Sequence, residues 1–352
     1  MQIQDCIYDT KFNKYLLTCG QTSIALDKKS MNLQTRKTFV ADEEAWYLIW
    51  RAAVDALSVY TTRSAHHIKG GLFIKPTNIQ VWNPKICKTL ESVQNKQDGR
   101  VIIIAIRGSD RILKDWTVNL MSSFKAPADF IDDGSNACHY GFLTIAQRMA
   151  PEVGKLLGKM LKDEALPKDL SLVYTGHSAG GAVASILYLH MLSTRLKTEL
   201  TSLRSAFRKI HCITFGAPPL SSRPLCLPLA YSRLGYRFLS FVNEGDIGAR
   251  ADLLYVSSIF KSIILYTLKR PSDTANKYLP LATSSLANGG QIVVIREVQN
   301  EPHKIEARLL YGGDLKYVSF GSISMHRMEL YQKRVWKLAF DAIMSSITLP
   351  IE

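Results

Sequence analysis

The 352-residue chain contains no run of 18 uncharged apolar residues, so no bilayer-spanning helix is expected. The nearest approach, residues 182–193, is short and holds His190, and it reads as a buried helix. There is no CxxC pair, and Cys6, Cys19, Cys87, Cys138, Cys212 and Cys226 are widely spread, so neither a zinc site nor a redox dithiol is indicated. The opening residues, MQIQDCIYDT, lack the basic patch and apolar run of a signal peptide. With Cys212 inside an apolar strand-like run, free thiols and a cytoplasmic or peripheral intracellular-membrane location are expected. Internal repeats and low-complexity linkers are missing too, so residues 1–352 are expected to form one domain, with 1–40 unassigned. Acidic residues are in deficit: 30 against 44 Lys and Arg, a net charge of +14. The basic residues are scattered and no aromatic residues alternate with them, which argues against nucleic acid. A solvated basic surface, or peripheral contact with an anionic membrane or lipid-droplet surface, fits the charge better.

What is present is an alternation of strand and helix. Residues 41–60 predict a helix, with Glu43 and Glu44 at its start and Trp46, Trp50, Ala53, Leu57 and Tyr60 along one face. The run VIIIAI at 101–106 suits a strand covered on both sides, as in a parallel sheet. Similar strands are expected at 171–175, 210–215 and 236–242, with helices at 144–161 and from 179 to about 200. This order predicts an α/β fold with a central, mostly parallel sheet and helices on both faces. Further on, 291–298 and 309–320 read as a strand pair, Gly312-Gly313 offers a turn, and a last helix begins near His326.

The sharpest chemical signal is Gly176-His177-Ser178-Ala179-Gly180-Gly181, a G-x-S-x-G pattern between the strand SLVYT and a small-residue helix. A serine on so tight a strand-to-helix turn needs small neighbours two residues to either side. The helix N-terminus then aims N–H groups at a reacting carbonyl. Serine is a weak nucleophile and needs a base held by an acid, both placed after it in the chain. Among the later histidines, His190 lies within the helix, His211 starts a strand and His303 sits in a polar turn. His326, between a loop and a helix, is the best-placed base. Past the strand YRFLSFV, Glu244 and Asp246 both qualify as the acid, with Asp252 a distant third. Ser109, directly after VIIIAI, and the N–H of Ala179 are candidate oxyanion donors. No metal or organic cofactor is expected.

These residues resemble the class 3 lipases, the fungal triacylglycerol lipase-like group of α/β-hydrolases. The resemblance runs through Arg107-Gly108-Ser109, Asp115-Trp116, Asn119-Leu120 and His139-Tyr140-Gly141-Phe142 to the elbow. It continues through Phe215-Gly216-Ala217-Pro218, Asn243-Glu244-Gly245-Asp246, Arg250-Ala251-Asp252, and His326 with Met328-Glu329-Leu330-Tyr331. It implies an α/β-hydrolase fold with a short surface lid and a triad of Ser178, Asp246 and His326. It also implies Ser109 as the oxyanion residue and residues 109–124 as the lid. Within that lid Ile112, Leu113 and Trp116 can share one helical face that meets substrate. Ile247-Gly248-Ala249 stand where the family often has prolines, and Pro219-Leu220 replace its usual valine-glycine. Residues 253–290 read as an insertion, with Ile259, Phe260 and Ile263 to Tyr266 flanked by Lys261, Lys269 and Arg270. The expected activity is hydrolysis of acyl-lipid esters by a serine nucleophile. Acyl transfer on the same triad and a non-catalytic lipase-like scaffold are the rival readings.

Overall fold

The computed structural model describes residues 33–61, 72–73, 85–86, 101–108, 124–162, 169–268, 282, 284–298, 300–301, 303–311, 314–317 and 320–348. Six strands form the central sheet: β1 (Val101–Ile106), β2 (Ser171–His177), β3 (Lys209–Phe215), β4 (Phe238–Asn243), β5 (Gln291–Glu297) and β6 (Ile305–Leu310). They lie side by side in chain order. The first five run parallel, and β6 returns antiparallel to β5. This is the α/β-hydrolase fold, with its mostly parallel sheet sandwiched by helices.

Alternation along the strands divides the core into two layers. Ile102, Ile104, Leu172, Tyr174 and Cys212 face helices α2 (Tyr140–Leu161) and α3 (Ala179–Met191). Ile103, Val173, Ile213, Phe215, Phe241 and Val293 face α1 (Glu43–Thr61) and α5 (Met328–Thr348). The continuous apolar runs follow from this: a strand buried on both faces has no polar side. Residues 253–268 form α4 (Leu253–Leu268), between β4 and β5.

The structure corrects several expectations. Helix α1 buries only part of the expected stripe, Trp46 and Ala53. Its innermost side chains are Ala45, Ile49, Ala52, Ala53, Ala56 and Val59, while Trp50, Leu57 and Tyr60 are only half-buried. Small residues let the helix lie close to the sheet, and Trp50 and Tyr60 are displaced to its edges while Trp46 stays in the core. The helix after the elbow stops at Met191 and does not continue to 200. There Asp132 takes the Thr194 N–H at 2.9 Å and the Ser193 hydroxyl, and Thr198 then caps the separate turn Glu199–Ser202 in a reciprocal capping box. The partner of β5 is Ile305–Leu310, not 309–320. The chain reverses through Asn300 and His303, both with positive φ. Phe320–Ser322 instead pairs with Gly245–Asp246, and Gly312-Gly313 lie outside the described residues.

Cys138 and Cys212 are buried free thiols and Cys226 is an exposed one; Cys6, Cys19 and Cys87 lie outside the described residues. Among the described residues no helix is long and apolar enough to cross a membrane.

His211, in the middle of the sheet, is fully buried, and neither ring nitrogen has a hydrogen-bond partner among the described residues. Burial, helped by the nearby Arg237, Lys209 and Arg208, pushes its pKa down to about 3 from an ordinary 6.5. Below pH 6.5 the unfolded chain therefore binds a proton that the folded chain refuses, and stability falls as the pH drops towards 3. At pH 4.5 the loss from this one group is about 2 to 3 kcal/mol. Denaturant unfolding from pH 7 to 4.5 should show that loss, and His211→Leu should remove this part of the acid slope. An unchanged slope in the variant would disprove the assignment.

Candidate active site

The elbow is built by β2 and α3. Ser178 stands at their junction with φ +56° and ψ −135°, a conformation that L-residues rarely adopt. The turn is held by the Ser178 N–H on the carbonyl of Phe215 in β3, at 2.9 Å. Its two glycines are required by space. A Cβ on Gly180 would lie 2.1 Å from the carbonyl oxygen of Ile106 at the end of β1. One on Gly176 would lie 2.6 Å from the backbone of Gly180. The first turn of α3 therefore presses on β1, and its N-terminal N–H groups, beginning at the buried Ala179, sit beside the serine.

Over this elbow the chain closes a buried chain of hydrogen bonds. Ser178 Oγ lies 2.9 Å from Nε2 of His326, and His326 Nδ1 lies 2.8 and 3.0 Å from the two carboxylate oxygens of Asp246. All three residues are buried. The carboxylate leaves the imidazole Nδ1–H as donor, so Nε2 is the acceptor for the serine hydroxyl. Asp246 also accepts the Gly248 N–H at 2.7 Å and the Tyr331 hydroxyl at 2.5 Å. Tyr331 in turn accepts the N–H of Asn243 at 2.8 Å. Burial and the neighbouring Asp246 carboxylate hold its phenol pKa well above 10, so it remains a donor. A buried charge is tolerable only with such compensation.

The space around the imidazole is also set by glycine. A Cβ on Gly248 would lie 2.2 Å from the His326 ring. Gly216, with φ +56°, has Asp246 Oδ2 at 2.8 Å from where its Cβ would be, and only glycine fits on both counts. The His326 loop is tied down from below, where the Asn243 side-chain amide donates to the Met325 carbonyl at 3.0 Å.

The other acids are engaged elsewhere. Glu244 pairs with Arg296 at 3.3 Å, and burial raises its pKa. Asp252 caps α4 through the Tyr255 N–H and takes the N–H of Ser285. Among the other histidines, His190 bonds the Phe130 carbonyl and the Thr198 hydroxyl, and His303 is exposed. Ser109 and the expected lid residues Ile112, Leu113 and Trp116 lie outside the described residues. Sequence reasoning missed the hydroxyl of Tyr331 and the steric role of Gly248. Position after His326 and after Asp246 was the only available signal for them. Among the described residues no group of His, Cys, Asp and Glu is arranged to hold a metal ion.

The mostly parallel sheet and the strand-to-helix elbow are those of the α/β-hydrolase fold, and they bring Ser178, His326 and Asp246 into one hydrogen-bonded row. Residues 103–254 match the family model described as Lipase (class 3). A stretch of 91 residues, 26% of the chain, is 38% identical to Lipase-like PAD4 of Arabidopsis thaliana and covers 15% of that protein. Another match, 27% identical over 139 residues, covers 38% of this chain and 25% of the chloroplastic Phospholipase A1-Igamma1 of the same plant. The chain thus spans a quarter or less of the length of these curated relatives. Among solved structures, the native Rhizomucor miehei lipase propeptide complex superposes with a TM-score of 0.48 at 17% identity. That match covers 84% of this chain and 83% of that one. The lipase from Rhizopus microsporus var. chinensis gives 0.46 at 15% identity, over 82% and 87%.

Removing the Tyr331 hydroxyl takes one donor from Asp246 and strands a buried N–H at Asn243. Tyr331→Phe should lower unfolding stability by about 1 to 3 kcal/mol in denaturant titrations. Wild-type stability in this variant would mean that the short contact to Asp246 contributes nothing.

Proposed function

We propose that the protein is a serine-dependent carboxylic ester hydrolase that acts on acyl lipids through an acyl-enzyme. The observation that carries this reading is the unbroken hydrogen-bond chain from Ser178 through His326 to Asp246, over a strained elbow at a helix N-terminus. The match of residues 103–254 to the class 3 lipase family model supports an ester-lipid substrate.

In this mechanism Ser178 Oγ attacks the ester carbonyl carbon while His326 Nε2 takes its proton. Asp246 holds the ring and stabilises the imidazolium. The N–H of Ala179 and the Ser109 residue stabilise the tetrahedral oxyanion. Collapse expels the alcohol, which takes the proton from His326. Water then attacks the acyl-serine by the same route and releases the carboxylic acid and the free enzyme.

A fluorophosphonate probe should label Ser178, and wild-type protein should hydrolyse p-nitrophenyl esters. Ser178→Ala, His326→Ala and Asp246→Asn should each reduce kcat by a factor on the order of 10⁴ or more, and the losses should not add. Ser109→Ala should cost about 10² to 10³ in kcat with little change in KM. A wild-type chain that neither labels nor hydrolyses any ester would leave a lipase-like binding protein instead. Transfer of the acyl group to added alcohols in preference to water would make it an acyltransferase.

The same reading includes peripheral contact with lipid. On α4, Leu253, Leu254 and Ile264 are exposed, as is Lys261, a mixture that suits an anionic interface. Hydrolysis of a lipid substrate should rise when it passes from monomer to aggregate, and Trp116→Ser in the expected lid should blunt that rise. Equal rates on monomer and aggregate would leave an esterase for dispersed substrates.

A further inference from the structure

Three backbone segments meet around the elbow: the end of β1 at Gly108, the end of β2 at His177, and the loop carrying His326. Two side chains with no part in the mechanism above join them. His177 Nε2 lies 2.7 Å from the backbone oxygen of His326. His177 Nδ1 lies 3.1 Å from the hydroxyl of Tyr60, near the end of α1. That hydroxyl lies 3.1 Å from the backbone nitrogen of Gly108.

The direction of every bond in this bridge is fixed by chemistry. A carbonyl only accepts, so Nε2 of His177 carries a proton and donates it. The ring is neutral, because burial and the neighbouring His326 hold its pKa well below 6.5. Nδ1 is therefore an acceptor. The Tyr60 hydroxyl donates to it, and the same oxygen accepts the Gly108 N–H. One polar path thus runs from Gly108 through Tyr60 and His177 to His326, with each donor used once. Packing agrees with the bonding. The His177 ring lies 4.6 Å from that of His326, and Arg107 lies 5.5 Å from the centre of the Tyr60 ring. There is no slack at Gly108, where a Cβ would come within 2.5 Å of both the Tyr60 oxygen and the His177 carbonyl.

We infer that Tyr60 and His177 are positioning residues that fix the spacing between the backbone at Gly108, which leads into Ser109, and the loop that carries His326, both beside Ser178. This rests on the hydrolase reading above. Neither side chain hydrogen-bonds the Ser178 hydroxyl; both act through the backbone atoms they hold. Oxyanion donors and a general base work only when both are within a few tenths of an ångström of the reacting group. Loss of the bridge should therefore weaken transition-state binding and leave ground-state binding alone.

The test compares wild type with Tyr60→Phe, His177→Gln, His177→Leu and the Tyr60→Phe/His177→Leu double variant. Active serines are counted by fluorophosphonate titration, and kcat and KM on a p-nitrophenyl ester are expressed per titrated serine. Tyr60→Phe should lower kcat about 10- to 100-fold with KM within about twofold. His177→Gln, which keeps a donor for the His326 carbonyl, should retain more activity than His177→Leu. The double variant should be no worse than the poorer single one by more than about threefold, because both break one path. A merely structural role would reduce the number of titratable serines and leave kcat per serine unchanged, and that result would overturn the inference, as would additive losses. Nitrogen NMR of the His177 ring reads the bridge independently of activity. A neutral ring protonated on Nε2, with an Nδ1 shift that moves in Tyr60→Phe, supports it even if the chain hydrolyses no ester. A ring protonated on Nδ1 overturns it.

Discussion

The strand-to-helix joint at Ser178 constrains the rest of the structure. A residue held at φ +56° is destabilised by roughly 1 to 3 kcal/mol and persists only where its surroundings leave no alternative. Here the surroundings are tight. Gly180 lies against the last carbonyl of β1, Gly176 lies under the first turn of α3, and the Ser178 N–H is anchored on β3. Three adjacent strands and one helix thus fix a single side chain. The strands must end at the same level for this to work, and the parallel register from Ile106 through Gly176 to Thr214 provides it.

A second constraint is the fully buried carboxylate of Asp246. An ionised group in that position is tolerable because a ring N–H, a backbone N–H and a phenol converge on it. Each donor comes from a different part of the chain. Gly248 follows Asp246 directly, His326 lies in the turn before α5, and Tyr331 lies within α5, packed against the sheet. The helix that covers one face of the core therefore also sets the electrostatics of the site. Asn243 ties these parts together, offering its backbone N–H to Tyr331, its side-chain amide to Met325 and its side-chain oxygen to Arg334.

The +14 charge has no single structural counterpart. Many of the described Arg and Lys residues pair with nearby acids at the surface, as Lys155 does with Glu152 and Lys304 with Glu301. Such exposed pairs contribute little stability. What the charge can alter is association with anionic surfaces, where it acts over about a Debye length and is weakened by salt.

Adjacent residues determined much of this protein. The run VIIIAI specified a two-sided buried strand, and its bounds in the structure are the same, because it is too short for a core helix and rich in β-branched residues. GHSAGG specified a tight elbow, because steric exclusion at Gly176 and Gly180 is a local matter. Other features were decided only when distant segments packed. Local periodicity put Tyr60 on a stripe with the tryptophans. The small residues of α1 rolled that helix onto the sheet and left Tyr60 at the edge, facing His177. Position along the chain could not separate Glu244 from Asp246. In the folded chain Arg296 of β5 takes the first and His326 reaches the second. The partner of β5 is Ile305–Leu310 and not the expected 309–320, because the reversal comes early, at Asn300 and His303. Short-range sterics and periodicity are written in neighbouring residues. Which side chains meet across 80 or more positions depends on how helices and strands pack, and no local pattern carries that information.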